Sequence, residues 1–176
     1  KHPFAASWQH TPLWSNDQIL KMEDAGQFKT GYGVLVDGLL VIDVDARNGG
    51  VDSFARLLKD IPSIKDAGLI VNTGSGGGSQ HLYFKVSNEL ALQGKHDDYE
   101  GIDFKSSGFV VGIGSQHKSG GSYEIASGSI DSITDAPVEL IELLKKKHKK
   151  RVLLNDQHID VSGSEVVEML SCIDSD

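Results

Sequence analysis

Asp43 and Asp45 stand two apart at the end of an unbroken apolar run, Leu39-Leu40-Val41-Ile42. Side chains two apart on a strand point to the same side. Two like charges that project together repel and raise each other's pKa unless a positive charge sits between them, and a divalent cation supplies one. Three more pairs with the same spacing occur further along the chain: Ser79 and His81, Asp103 and Lys105, Ser115 and His117. If Asp43, Asp45 and Asp103 converge on one spot they form a hard, oxygen-rich site suited to Mg²⁺ or Mn²⁺. The hydroxyl, imidazole and ammonium groups of the other pairs suit the phosphates that such metals accompany.

Each of these residues also has a plainer reading. Asp43 and Asp45 alone would serve as ordinary strand-end aspartates before a turn, His81 as a surface residue of a strand, and His117 as a loop residue. A Ser-His-Asp hydrolase can be assembled on paper from Ser79, His81 and Asp103, but no G-x-S-x-G elbow is present. The glycine-rich run Gly74 to Gly78 is either a flexible turn or a cradle whose backbone N–H groups approach a phosphate. It is not a Walker A loop, because no Lys-Ser or Lys-Thr follows the glycines. The functional case rests on the clusters taken together.

The elements that must hold these pairs can be read from hydrophobic spacing. The sequence from Leu39 to Val44 predicts a strand buried on both faces, paired through an Asp37-Gly38 hairpin turn with a strand around Val34 to Val36. Ser15-Asn16-Asp17 can cap a short helix running to Met22 or Ala25, with Ile19, Leu20 and Met22 inward. Val51 to Ile61 carries Phe54, Leu57, Leu58 and Ile61 at helical spacing, stopped by Pro62. Further strands are expected at Leu69 to Val71, His81 to Val86 (half-buried, with His81, Tyr83 and Lys85 on one face), Ile102 to Lys105, Phe109 to Ile113 and Ser122 to Ile125. Residues 87 to 100 read as loop. A last helix is expected from Pro137 to Lys147, with Val138, Leu140, Ile141 and Leu144 as its apolar stripe. Trp8 and Trp14 are expected to cover the core rather than stack on bases.

A chain of 176 residues can build one sizeable core and is short for two. The division expected is a catalytic domain over residues 1–150 and an acidic linker, or the start of a following module, over 151–176. The net charge of −8 argues at first against a polyanionic partner, but it is unevenly spread. Residues 155–176 hold six acidic groups and no Lys or Arg, which leaves 17 basic and 19 acidic groups in the rest. The body therefore need not repel a nucleic acid. Lys145 to Arg151 holds six cations in seven residues, which suits a helix C-terminus or a phosphate-backbone contact. The single cysteine, Cys172, excludes an internal disulfide and a multi-cysteine zinc site. No stretch approaches a membrane span or a signal peptide, so the expected setting is cytoplasmic. The chain begins at Lys1 rather than Met, as expected of a processed or excised piece.

The order of these motifs resembles the bifunctional primase/polymerase (prim-pol) domain of the archaeo-eukaryotic primase superfamily, found in replication proteins of phages, plasmids and other mobile elements. It is carried by Asp43-Val44-Asp45, the glycine-rich turn into Ser79-Gln80-His81-Leu82-Tyr83-Phe84, Gly101-Ile102-Asp103-Phe104-Lys105, and Gly108-Phe109-Val110-Val111-Gly112-Ile113-Gly114-Ser115-Gln116-His117. It covers roughly Pro3 to Ile125. The resemblance implies an α+β fold, a primase-polymerase catalytic core with an RRM-like mixed or antiparallel sheet flanked by helices. It implies that Asp43, Asp45 and Asp103 are catalytic and hold two Mg²⁺ or Mn²⁺ ions. It also implies that Ser79 and His81, with Gln80 between them, contact the incoming nucleotide, and that Lys105, Ser115 and His117 add nucleotide or phosphate contacts. Expected partners are a single-stranded DNA template, a primer, ribo- or deoxynucleoside triphosphates, and a helicase domain or subunit. The family's last motif usually has prolines where this chain has Ile113-Gly114, and the zinc-binding stem of some relatives is impossible with one cysteine. Two other readings stand beside polymerisation: a catalytically silent primase-like module that binds nucleotide or single-stranded DNA, and a metal-dependent nuclease.

Overall fold

The structure, a computed structural model, describes residues 14–145. The elements run α1 (Asn16–Asp24), β1 (Gly33–Leu35), β2 (Leu39–Val44), α2 (Gly50–Asp60), β3 (Leu69–Asn72), β4 (Gln80–Lys85), β5 (Ile102–Lys105), β6 (Phe109–Val111), β7 (Glu124–Gly128), β8 (Thr134–Asp135) and α3 (Val138–Leu144). Single 3₁₀ turns at Ala46–Asn48, Pro62–Asp66 and Ile130–Ser132 link them. The main sheet has the order β5-β2-β4-β3-β7 and is antiparallel throughout, with β8 added parallel to β4; β1 and β6 form a separate antiparallel ribbon. This is an α+β architecture, as the resemblance implies.

The apolar run of β2 explains its central place. Leu40, Ile42 and Val44 pack on one face with Leu57 and Ile61 from the α2 region, Leu140 and Leu144 of α3, and Phe84 and Phe104 of the neighbouring strands. Val41 points the other way, into a second cluster with Val71, Tyr83, Val36 and Val110, so the ribbon covers part of that face. Burying each such side chain contributes roughly 1.5–3 kcal/mol. Four of them in one strand far outweigh the cost, at most about 1 kcal/mol, of setting like charges opposite each other at its end.

The Asp37-Gly38 turn is present, with the Leu39 N–H donating to the Val36 carbonyl at 3.1 Å, but it closes no hairpin. β1 pairs with β6 instead, because β2 already uses both of its edges, one on β4 and one on β5. β4 is also not half-buried: His81, Leu82, Tyr83 and Phe84 are all buried, since the ribbon and Tyr123 cover the side that the alternation assigns to solvent. α1 forms under a capping box between Ser15 and Gln18, but Ile19 and Leu20 are exposed and no residue of the helix is buried. Trp14 is half-exposed. The last sheet strand begins two residues later than expected, and the two-residue β8 has too little sequence to show any period. Trp8, most of the basic run after Lys145, the acidic tail and the boundary near residue 150 lie outside the described residues.

Candidate active site

Strand register brings three of the predicted residues into one row. Asp43 on β2 lies opposite His81 on β4 and, across its other edge, opposite Asp103 on β5. Val71 of β3 continues the row beyond His81. Opposed residues in an antiparallel ladder have Cβ atoms about 5 Å apart. Two carboxylates, Asp43 and Asp103, therefore stand side by side on the face of the sheet away from α2 and α3. They line a cleft of about 840 Å³, whose walls include Asp45, Arg47, His81, Lys95, Lys105, His117 and Tyr123.

Each carboxylate faces a positive or polarised partner of the protein itself. Asp43 Oδ1 lies 3.4 Å from His81 Nε2. Asp103 is held by Lys105 Nζ at 3.2 Å and Lys95 Nζ at 3.6 Å. Asp45 caps the 3₁₀ turn after β2, and its two oxygens accept from the Arg47 backbone, the Arg47 guanidinium and the Asn48 side chain. The Arg47 hydrogen bond holds the Asp45 carboxyl below its ordinary pKa, against the opposing effect of partial burial. Among the described residues, no three His, Cys, Asp or Glu side chains are grouped closely enough to hold a metal ion as they stand. The donors are nonetheless carboxylates, the ligands Mg²⁺ and Mn²⁺ take, and two are already adjacent.

His81 is almost wholly buried, at 3% exposure, between the rings of Tyr83 and Tyr123. Burial, followed by the negative charge of Asp43, pushes the Tyr83 phenol far above its ordinary pKa, and the same two causes raise Tyr123. Tyr83 thus keeps its proton and can donate it to His81 Nδ1, 3.3 Å away, which leaves Nε2–H to face Asp43. Tyr83, His81 and Asp43 thus stand in a row, with the imidazole between the phenol and the carboxylate.

The remaining predicted residues divide. Lys105 and His117 line the cleft. Ser79 and Ser115 are buried, and each accepts a backbone N–H from a distant segment, Ala46 at 3.0 Å and Tyr32 at 3.1 Å. Gln80 lies on the opposite face of β4, where it donates to Asn72. His117 sits in the loop after β6 with Nδ1 2.8 Å from Ser119 Oγ, which in turn donates to the Gly74 carbonyl. That clasp joins the two glycine-rich loops so closely that a Cβ on Gly74 would fall 2.4 Å from His117 Cβ.

Arg47, Lys95 and Tyr123 are cleft residues that spacing did not single out. Arg47 comes two residues after Asp45, the same i, i+2 signal that marks the other pairs, and it could have been found that way. Lys95 lies in a loop without periodicity, and Tyr123 reads as an ordinary strand aromatic. Behind the site, Gly101, in the left-handed region at φ +77°, packs its backbone against Gly50 and Asn48, where any Cβ would fall 2.4 Å from the Asn48 carbonyl oxygen. This contact brings the start of β5 against the end of β2, with the Asp45 N–H donating to Gly101 O at 2.8 Å.

The fold and site define an α+β protein with paired acidic and basic groups on the open half of a mainly antiparallel sheet. The family model for the N-terminal domain of bifunctional DNA primase/polymerases matches residues 1–139, and the chain belongs to that family. A comparison with curated proteins returns no match. The family is one of primase/polymerase-type nucleotidyltransferases that act on DNA and nucleotides. Among the described residues, no helix is long and apolar enough to cross a membrane.

Proposed function

We propose that this domain catalyses template-directed nucleotidyl transfer, joining nucleotides on a single-stranded DNA template with release of pyrophosphate, as a primase or polymerase of a mobile element or phage. The observation that carries this reading is the cross-strand placement of Asp43 and Asp103 facing an open, cation-edged cleft. Like charges directly opposite in a ladder oppose folding, and a sheet keeps such a pair where function requires it.

Asp43, Asp45 and Asp103 would hold divalent cations, two Mg²⁺ or Mn²⁺, which when bound lower the pKa of the attacking hydroxyl and neutralise charge on the phosphates. His81 and Tyr83 keep the Asp43 carboxylate in one orientation. Lys105 and Lys95 place ammonium groups at the cleft where the triphosphate lies, so these residues act by positioning and charge rather than by proton transfer. The 3′-hydroxyl gives up its proton to solvent water, its oxygen bonds to the α-phosphorus as the bond from that phosphorus to the bridging oxygen breaks, and pyrophosphate leaves.

A labelled-primer assay on a single-stranded template, with Mg²⁺ or Mn²⁺ and either dNTPs or NTPs, tests the reading. Template-dependent lengthening is expected, with loss of at least about a hundredfold in Asp43→Ala/Asp45→Ala while the fold persists. Extension by the double variant at the wild-type rate sinks the assignment, and shortening of the strand moves the case to a nuclease. A second reading, a binding module without turnover, draws on the fact that every carboxylate of the trio already faces a partner of the protein itself. It is favoured if nucleotide binds and no product forms.

A further inference from the structure

Asp45 accepts four hydrogen bonds from the turn after it. The Arg47 backbone N–H and Nε both reach Oδ1 at 3.1 Å, and Arg47 Nη2 and Asn48 Nδ2 reach Oδ2 at 3.1 and 2.9 Å. The guanidinium is therefore seated across both Asp45 oxygens, in the position that a cation bound by the two together would take. We propose that Arg47 is a displaceable counterion, paired with Asp45 while the cleft holds no divalent cation and transferred to the phosphates of an incoming nucleoside triphosphate once a cation takes Asp45. The inference rests on the metal-binding reading above and goes beyond it in assigning Arg47 a role.

Three features of the turn support it. The pair is exposed, with 59% of the Arg47 side chain and 29% of Asp45 open to solvent, and pairs of this kind are weak and screened by salt. The turn does not depend on the guanidinium: the Arg47 N–H, the Asn48 amide and the Gly50 N–H, which donates to the Asp45 carbonyl at 3.0 Å, keep its shape when the side chain leaves. Arg47 also lines the same cleft as Lys105, and a planar guanidinium matches phosphate oxygens in a way that the lysine ammonium groups do not. A divalent cation arriving at Asp45 repels the neighbouring guanidinium, and a polyphosphate gives it a new anionic partner.

The proposal predicts effects of opposite sign on two ligands measured separately. Binding of Mn²⁺ alone, followed by electron paramagnetic resonance of the free ion, should tighten about two- to fivefold in Arg47→Met, the change expected when an exposed competing cation is removed. Binding of a fluorescent, non-hydrolysable nucleoside triphosphate at saturating Mg²⁺, the state in which the guanidinium has left Asp45, should weaken roughly tenfold in the same variant, as for a lost charge-assisted contact. Arg47→Lys should fall between wild type and Arg47→Met in both. A residue that merely shapes the turn would weaken Mn²⁺ binding or leave it unchanged, and either result overturns the proposal, as does an unchanged triphosphate affinity. Asp43→Ala/Asp45→Ala separates the two levels of inference. If Mn²⁺ binds wild type and the double variant alike, or neither binds it and Arg47→Met does not either, the metal reading fails. If binding depends on the carboxylates but not on Arg47, only this inference fails.

Discussion

The tetrapeptide Gly-Ser-Gln-His occurs twice in this chain, at Gly78 to His81 and at Gly114 to His117. The two copies begin alike. Both glycines lie in the left-handed region, at φ +91° and +84°, and both serines are buried with Oγ accepting a backbone N–H from far along the chain. They then diverge. Gln80 and His81 enter β4, laddered on both edges, so His81 is buried against Asp43. Gln116 makes an isolated bridge to Ser122, and His117 stays in a loop, half-buried, tied to Ser119. The four residues fix a turn and an anchor, and the next few residues decide the use of the histidine. Leu82-Tyr83-Phe84 continues as a strand with bulk on both faces, whereas Lys118-Ser119-Gly120-Gly121 cannot.

The comparison is tested most strongly at the histidines. His81→Ala should cost about 2–3 kcal/mol of stability, because a buried ring leaves both a cavity and an unheld carboxylate. His117→Ala should cost less than about 1 kcal/mol, as expected of a loop residue outside the core. Urea denaturation of both variants reads the difference, and equal losses would show that the two copies are used alike. Next in size is Gly74→Ala, whose methyl would crowd His117 Cβ and the Gly121 carbonyl and should cost about 1–2 kcal/mol. In NMR spectra its shift changes should centre on residues 115–121 and spare the His81–Asp43 contact; changes of equal size at His81 would mean that the two regions are coupled. The smallest contrast concerns the serines. Ser79→Ala and Ser115→Ala should each cost about 1–2 kcal/mol, since each leaves a backbone N–H without its acceptor, and the two values should agree within about half a kcal/mol. Unequal values would confine the likeness of the two copies to their sequence.

The features legible in the sequence are those whose physics is local. β2, β5, α2 and the shared side of Asp43 and Asp45 come from period and burial, which neighbouring residues carry in their own types. The pairing of β1 with β6 was not legible, because a hairpin signal at Asp37-Gly38 says that the chain turns, not that the edge of β2 is free. The burial of both faces of β4 depends on Tyr123 and Val110, residues far along the chain. Ser79 and Ser115 illustrate the same limit at the site. Residue type and spacing marked them as polar groups beside a cleft, but whether a hydroxyl meets a ligand or a backbone amide is decided by segments 30 to 80 residues distant. The opposition of Asp43 and Asp103 was legible only as an expectation of convergence, since register is set by the ladder as a whole.

β2 is held by six consecutive pairings to β4 and four to β5, with no slip in either. Because side chains alternate strictly, this sheet has a reading frame of two. Loss of one residue between Leu39 and Ile42, with the turn behind it held in place, would move Asp43 onto the Phe84 and Phe104 side and carry Val44 into the cleft. Loss of two would return the carboxylate to its own side, one ladder step away from His81 and Asp103. Along β2 the carboxylates thus fall on odd numbers, beside the smaller buried cluster, and the larger cluster takes the even ones, and the boundary between them is the plane of a single strand.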